Sequence, residues 1–294
     1  MFGIFIVFLH PYFPIGVFFV DKNEKKVIIL KNNVLWICES AIMIAAATVL
    51  SIFAIIKMPF GGDVTACSML PIILIAYRYG LKKGLFVGVI HGLIQMLLGF
   101  NNLSYATTLS AGITIVLFDY LLAFGVLGFS ALFRKNNNQI TAISFGTVVA
   151  CFLRYICHVI SGCTVWAGVS IPTNEGFIYS LVYNAAYMIP ETIVTVAAAA
   201  YIGGVIDLKD SRLSRIKKYG DGTLKDFLVP VSSLVLIVTA AFDALMLFSS
   251  IQTEDGFNIA NIKNAPFEIM GIVTILGLLL AVILYLIGKK RRKC

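Results

Sequence analysis

TAISFGTVVACFLRYICHVISGCTVWAG, Thr141–Gly168, runs for 28 residues without a proline or an acidic side chain and with Arg154 and His158 as its basic groups. At 1.5 Å per residue it makes about 42 Å of helix, more than the ~30 Å of a bilayer's hydrocarbon. In lipid every backbone polar group must be satisfied within the segment, so this stretch reads as a spanning α-helix. The rest of the chain agrees. Of its 294 residues 59% are apolar and 13% charged, about half the charged share of a soluble domain. Mean hydropathy is +0.93. A water-soluble globule is excluded, and 24 Gly, 8 Pro and 6 Cys spread over an apolar chain exclude collagenous, disordered and disulfide-framework classes. The composition predicts an all-α polytopic membrane protein.

Apolar runs predict eight helices, over Val34–Ile56, Ser68–Tyr79, Gly84–Phe100, Thr107–Phe133, Thr141–Gly168, Phe177–Ile206, Phe227–Ser250 and Phe267–Ile287. If Asp21–Asn33 is cytoplasmic, the alternate loops and the C-terminal tail are too, and they hold 20 of the 23 Lys and Arg residues. Only Lys57, Arg154 and Lys263 fall elsewhere. The net charge of +8 therefore follows from topology by the positive-inside rule and implies no nucleic-acid partner. Ser68–Tyr79 is short for a span and reads as tilted or partly re-entrant.

Four regions follow. Residues 1–33 form an N-terminal extension with an apolar segment interrupted by Pro11 and Pro14. No basic stretch precedes that segment, so it lacks the ordinary signal-peptide layout and reads as an extra span, an interfacial piece or an extension upstream of the functional start. Residues 34–206 are a six-helix core, 207–226 a basic cytoplasmic linker, and 227–294 an appended helical hairpin with a basic tail, whose Asp243 is expected to pack against the core.

No Walker A motif is present, and three histidines with no Cys-x-x-Cys pair make no zinc constellation, so neither metal nor cofactor is expected. Cys157 and His158 are sequence neighbours, but adjacent helical residues point about 100° apart, which argues against a nucleophile–base pair. The informative residues are the polar ones within the spans, because they are costly there and mark function. In the fifth helix Arg154, His158, Gly162 and Trp166 recur every four residues. Tyr179, Tyr183, Asn184, Tyr187 and Glu191 cluster in the sixth, where Pro190 frees the Ala186 carbonyl, and Asp119 with Tyr120 interrupts the fourth.

The helical rise puts His158 about 25 Å from Thr141, Asp119 about 18 Å from Thr107 and Asn184 about 10 Å from Phe177. All can meet in the outer half of the bilayer. A carboxylate, an imidazole, an amide and several rings suit a small, flat cation, through counter-charge and cation–π contact. Each has a plainer reading: interfacial belt aromatics for Trp166 and Tyr179, helix packing for Tyr183 and Tyr187, and a structural ion pair of Arg154 with Asp119 or Glu191. The first outer loop, with Lys57, Gly61, Gly62 and Asp63, reads as a tight turn or gate.

Four segments resemble one family. Met58–Ile72 (MPFGGDVTACSMLPI), Phe118–Gly128 (FDYLLAFGVLG), Phe152–Trp166 (FLRYICHVISGCTVW) and Tyr179–Glu191 (YSLVYNAAYMIPE) resemble the ThiT family of thiamine-binding S-components of energy-coupling factor (ECF) transporters. The resemblance covers Val34–Ile206 and implies a six-helix bundle, not an enzyme, in the bacterial cell membrane. It further implies that the bundle binds thiamine near its outer face and docks on a transmembrane coupling subunit driven by two cytoplasmic ATPases. By the same resemblance, His158 and Trp166 match the ligand histidine and stacking tryptophan, Tyr179 and Asn184 the sixth-helix contacts, Asp119 and Tyr120 an acidic residue followed by tyrosine, and Arg154 a basic residue one turn before the histidine. Phe60 is the nearest match to a first-loop aromatic. Ala41 and Ala45 form a small-x-x-x-small face, which suits either close helix packing within the chain or, by resemblance, the coupling subunit. Competing readings are an S-component for another vitamin or a thiamine precursor, a stand-alone carrier relaying protons through Asp119, Arg154 or Glu191, and an intramembrane enzyme.

Overall fold

The computed structural model describes residues 24–57, 62–65, 67–168, 173–214, 216, 228–253, 256–257 and 259–289. Helix α1 is Glu24–Ile52. It begins ten residues before the predicted start, through EKKVIILKNN, which holds neither proline nor glycine to break it. It ends short of the predicted Ile56. Ala54–Lys57 is instead strand β1, paired antiparallel with β2, Asp63–Thr65. Ala54 pairs with Thr65, Ile56 with Val64 and Lys57 with Asp63, and the β-branched composition of both segments favours the ladder over another helical turn.

Helix α2, Leu70–Tyr79, is the short segment, and it sits at the centre of the bundle. Ile72, Ile73, Ala76 and Tyr77 are fully buried. Ten residues reach only about 15 Å, half the hydrocarbon thickness. A single residue, Gly80, joins it to α3, Leu81–Leu98. Its φ of 92° is open to glycine, and a side chain there meets nothing within 4 Å, so backbone angle rather than space dictates the residue.

Helix α4, Leu109–Phe133, is capped by the Thr108 hydroxyl, which accepts from the Ala111 amide at 3.2 Å. Its winding changes along its length. Ile115–Leu122 is π-helical and Val126–Phe133 is 3₁₀. The glycines Gly84, Gly88 and Gly92 of α3 let the two backbones touch. A Cβ on Gly88 would lie 2.3 Å from the Phe124 carbonyl oxygen, and one on Gly92 2.6 Å from that of Tyr120.

Helices α5, Gln139–Gly168, and α6, Thr173–Val205, make the most extensive packing among the described elements. Gly162 of α5 admits Ser180 of α6, whose Oγ would be 2.2 Å from a Cβ there. At the end of α2 that leads into α3, Arg78 fastens three elements together. It donates to both Glu39 carboxylate oxygens, at 2.6 and 2.9 Å, and to the carbonyls of Leu208, Asp210 and Ser211 at 3.0, 2.6 and 3.1 Å. Gln139 caps α6 through the carbonyls of Gly203 and Ile206, each at 2.7 Å.

Helices α7, Leu228–Ile251, and α8, Phe267–Lys289, form the hairpin, joined through the short strands β3, Gln252–Thr253, and β4, Gly256–Phe257. Asp243 pairs within this hairpin and not with the core, taking the Thr274 hydroxyl at 2.6 Å, because α8 is the neighbour its helix face presents to. Among the described residues six helices have the length and apolarity to cross a membrane: Asn33–Ile52, Leu81–Leu98, Leu109–Phe133, Gln139–Thr164, Gly176–Val205 and Phe267–Gly288. The fold is an all-α polytopic membrane protein.

Candidate functional site

Because α2 is only ten residues long, the half of the bundle beyond its N-terminus has no central helix. A cavity of about 720 Å³ occupies that place. Its walls come from α1, α3, α4, α5 and α6, and the β1–β2 hairpin reaches it through Gly62, Asp63 and Thr65. Gly62 donates its amide to the Tyr183 hydroxyl at 3.3 Å, tying the hairpin to α6. A Cβ on Gly62 would lie 2.9 Å from the Tyr187 ring, so only glycine lets the loop come this close.

Asp119 and Tyr120 lie in the π-helical turn of α4. A widened turn shifts the residues that follow relative to an α-helical count, and such turns recur at functional sites. The Asp119 carboxylate takes Oδ1 to His158 Nδ1 at 2.8 Å and accepts the Ser161 hydroxyl on Oδ2 at 2.6 Å. Arg154 Nε donates to His158 Nε2 at 3.1 Å. With Arg154 on Nε2, Nδ1 is the ring atom that meets Asp119. The Arg154 guanidinium lies 4.3 Å above the Phe124 ring. It forms no ion pair with Asp119 or Glu191 within 4.0 Å, so its structural role is the histidine and not a carboxylate.

Tyr120 turns its hydroxyl away from Asp119, donating to the Gly99 carbonyl at 2.9 Å while accepting from Asn102 at 3.1 Å. Asn184 is buried between α5 and α6. Its amide donates to the carbonyls of Ser180, at 2.8 Å, and His158, at 3.3 Å, and its Oδ1 accepts the Tyr187 hydroxyl at 2.7 Å. Tyr179 stacks on Tyr183 at 6.1 Å and 12°, Tyr183 meets Tyr187 edge-on at 6.0 Å, and Tyr187 meets His158 at 6.0 Å. These rings form a ladder descending one face of α6.

The structure thus brings Asp119, Tyr120, Arg154, His158 and Asn184 to one cavity, with Tyr183 and Tyr187 in its wall. Tyr179 stands one turn outward of that wall, against Tyr183. The side chain of Trp166 and residue Phe60 lie outside the described residues. Thr65, Ser68, Gln95 and Ser161 are small polar residues that the sequence reading passed over; nothing but their placement distinguishes them from helix-packing hydroxyls and amides. Among the described residues no group of three His, Cys, Asp or Glu gathers to hold a metal. Ala41 and Ala45 are both exposed on α1, whereas Ala47 on its other side is fully buried.

Residues 37–206 match the family described as thiamine transporter protein (Thia_YuaJ). The thiamine transporter ThiT of Bacillus subtilis is 34% identical over 168 residues, which is 53% of this chain and 83% of that protein. The thiamine transporter ThiT of Lacticaseibacillus paracasei is 24% identical over 181 residues, covering 56% of this chain and 85% of its own. A solved structure of ThiT from Listeria monocytogenes, 24% identical, aligns over 59% of this chain and 94% of that one with a TM-score of 0.49. The family match spans more than half of the chain and the B. subtilis relative is covered over most of its length, so this multi-pass bacterial cell-membrane protein belongs to the thiamine transporter (Thia_YuaJ) family.

Proposed function

We propose that the chain binds thiamine in the outer cavity and serves as the S-component of an ECF transporter. In this reading a transmembrane coupling subunit and two cytoplasmic ATPases drive release on the inside. The observation that carries it is the Asp119–His158 pair at 2.8 Å set beside a ladder of tyrosines in a cavity of about 720 Å³. A flat organic cation needs a counter-charge and π faces, and this cavity offers both. The family's description as a thiamine transporter and the two ThiT relatives support the same vitamin. The exposed small face at Ala41 and Ala45 leaves room for a close helix–helix contact with a coupling subunit.

Tryptophan fluorescence tests the ligand. The chain has two tryptophans, and Trp36 lies at the cytoplasmic end with the Lys83 ammonium 4.6 Å from its ring. Quenching on titration with thiamine therefore reports Trp166. We expect saturable quenching by thiamine, and none at any usable concentration sinks the assignment. Transport tests the partners: uptake should need the ATPase subunits and survive collapse of the proton gradient. Uptake by the chain alone that vanishes with the gradient would make it a secondary carrier.

A further inference from the structure

At the end of the bundle where α2 passes into α3, the acids are turned inward and the bases outward. Glu39 is taken up by Arg78. Asp207 gives a carboxylate oxygen to the Lys209 amide at 2.9 Å, and Asp210 accepts the amides of Arg212 and Ser214 at 3.2 and 3.3 Å. Lys82 of α3, Lys135 between α4 and α5, and Lys209 and Arg212 in the turn after α6 are all exposed. Among the described residues the ion pairs within 4.0 Å are Arg78–Glu39 and His158–Asp119, so none of these four cations meets a carboxylate there.

Two of the four are drawn together from distant parts of the chain. The Lys209 ammonium donates to the Asn136 carbonyl at 3.3 Å, which seats it against the residue that follows Lys135. Just inside this pair, where α4 ends, Phe133 packs on Phe145 of α5 with ring centroids 6.3 Å apart. Both rings face outward, at 39% and 59% exposed. Paired ammonium groups above an apolar wall match the build of a phospholipid, a charged head on hydrocarbon tails. A zwitterionic head brings a cation of its own, so the pair favours a head with net negative charge. We propose that Lys135 and Lys209, above the Phe133–Phe145 wall, bind the phosphate of an anionic phospholipid whose acyl chains lie along the two rings. The positive-inside pattern predicts this end to face the cytoplasmic leaflet, whose anionic heads attract each nearby Lys or Arg by about fivefold in affinity. The site uses no residue of the cavity, so it stands apart from the thiamine reading.

Native mass spectrometry of the full chain tests it, with the protein taken from micelles holding equal amounts of phosphatidylglycerol and phosphatidylcholine. The unaltered chain should retain phosphatidylglycerol about 10- to 25-fold over phosphatidylcholine, and Lys135→Gln and Lys209→Gln should each lower that ratio about three- to fivefold. Lys263→Gln, in the connection between α7 and α8, should leave it unchanged. Phe145→Ala should reduce retention of both lipids at a constant ratio. Inorganic phosphate, compared with chloride at the same ionic strength, should not displace the lipid, because it has nothing to lay on the wall. A ratio near one for the unaltered chain overturns the proposal and leaves these charges to a protein partner or to topology alone. An equal fall in the Lys263→Gln protein overturns it as well, since total charge and not a site would then be read. Displacement by phosphate and not by chloride overturns the lipid in favour of a free anion.

Discussion

Asp119 is held from two sides, by the His158 ring and by the Ser161 hydroxyl, while its side chain keeps 30% exposure to the cavity. That arrangement orients the carboxylate while leaving part of it open to the cavity. Asp119→Asn retains an oxygen for His158 but loses the negative charge. Its thermal stability should stay within about 1 kcal/mol of the parent, whereas thiamine affinity should fall about tenfold or more. Equal affinity in a titration would remove the cation argument. Arg78 poses a different case, because the guanidinium is the hub of five hydrogen bonds at the C-terminal end of α2. Arg78→Ala strands the Glu39 carboxylate and should cost about 3–5 kcal/mol, read as a lowered Tm in detergent. A Tm like the parent's would show that water replaces those bonds without loss.

Elements are positioned by what they lack as much as by what they carry. The α3–α4 contact exists because Gly88 and Gly92 present no side chain where the α4 carbonyls pass. Gly88→Ala puts a Cβ 2.3 Å from the Phe124 oxygen, and no side-chain rotation relieves a clash with backbone. We expect a loss of about 1–3 kcal/mol and weaker ligand binding, since the helix displaced carries Tyr120 and Asp119. Gly271→Ala in α8 is the control: a Cβ there meets nothing within 4 Å. Helix propensity alone should make it neutral or stabilising by up to about 1 kcal/mol. Similar Tm changes in the two variants would contradict the close-contact account.

At the scale of the molecule, the cavity and the hairpin are separate pieces of architecture. The cavity is walled by elements from Ser51 to Glu191, whereas α7 and α8 pack mainly on each other. A chain ending after Ile216, without the hairpin, should therefore bind thiamine with affinity within about threefold of the full chain. Ending it at Ile206 is a harsher cut. The turn that follows is fastened to the core by Arg78 and by the Ile216 amide on the Val205 carbonyl at 2.9 Å. The comparison of the two truncations in a binding titration checks this, and loss of binding in the longer one would give the hairpin a part in the site.

Much of this was legible from residue order alone, because lipid is an unforgiving solvent. Backbone groups in hydrocarbon must pair within their own helix, so apolar runs give the helices, and the placement of 20 of 23 basic residues predicts the orientation. The same cost makes Asp119, Arg154, His158, Asn184 and Glu191 conspicuous. Tertiary structure decided what that pattern is silent about. Ile55 and Ile56 are apolar enough for a span, yet their backbone joins β1 because a partner strand is at hand. The π-helical winding around Asp119 has no proline or glycine within it to announce it. Arg154 was as consistent with an ion pair as with a histidine contact, and Glu191 as consistent with a proton relay as with a cavity wall. A sequence reports which side chains are expensive to bury in a membrane. Only the packed bundle determines which partner satisfies each one, and which atoms are left for a ligand.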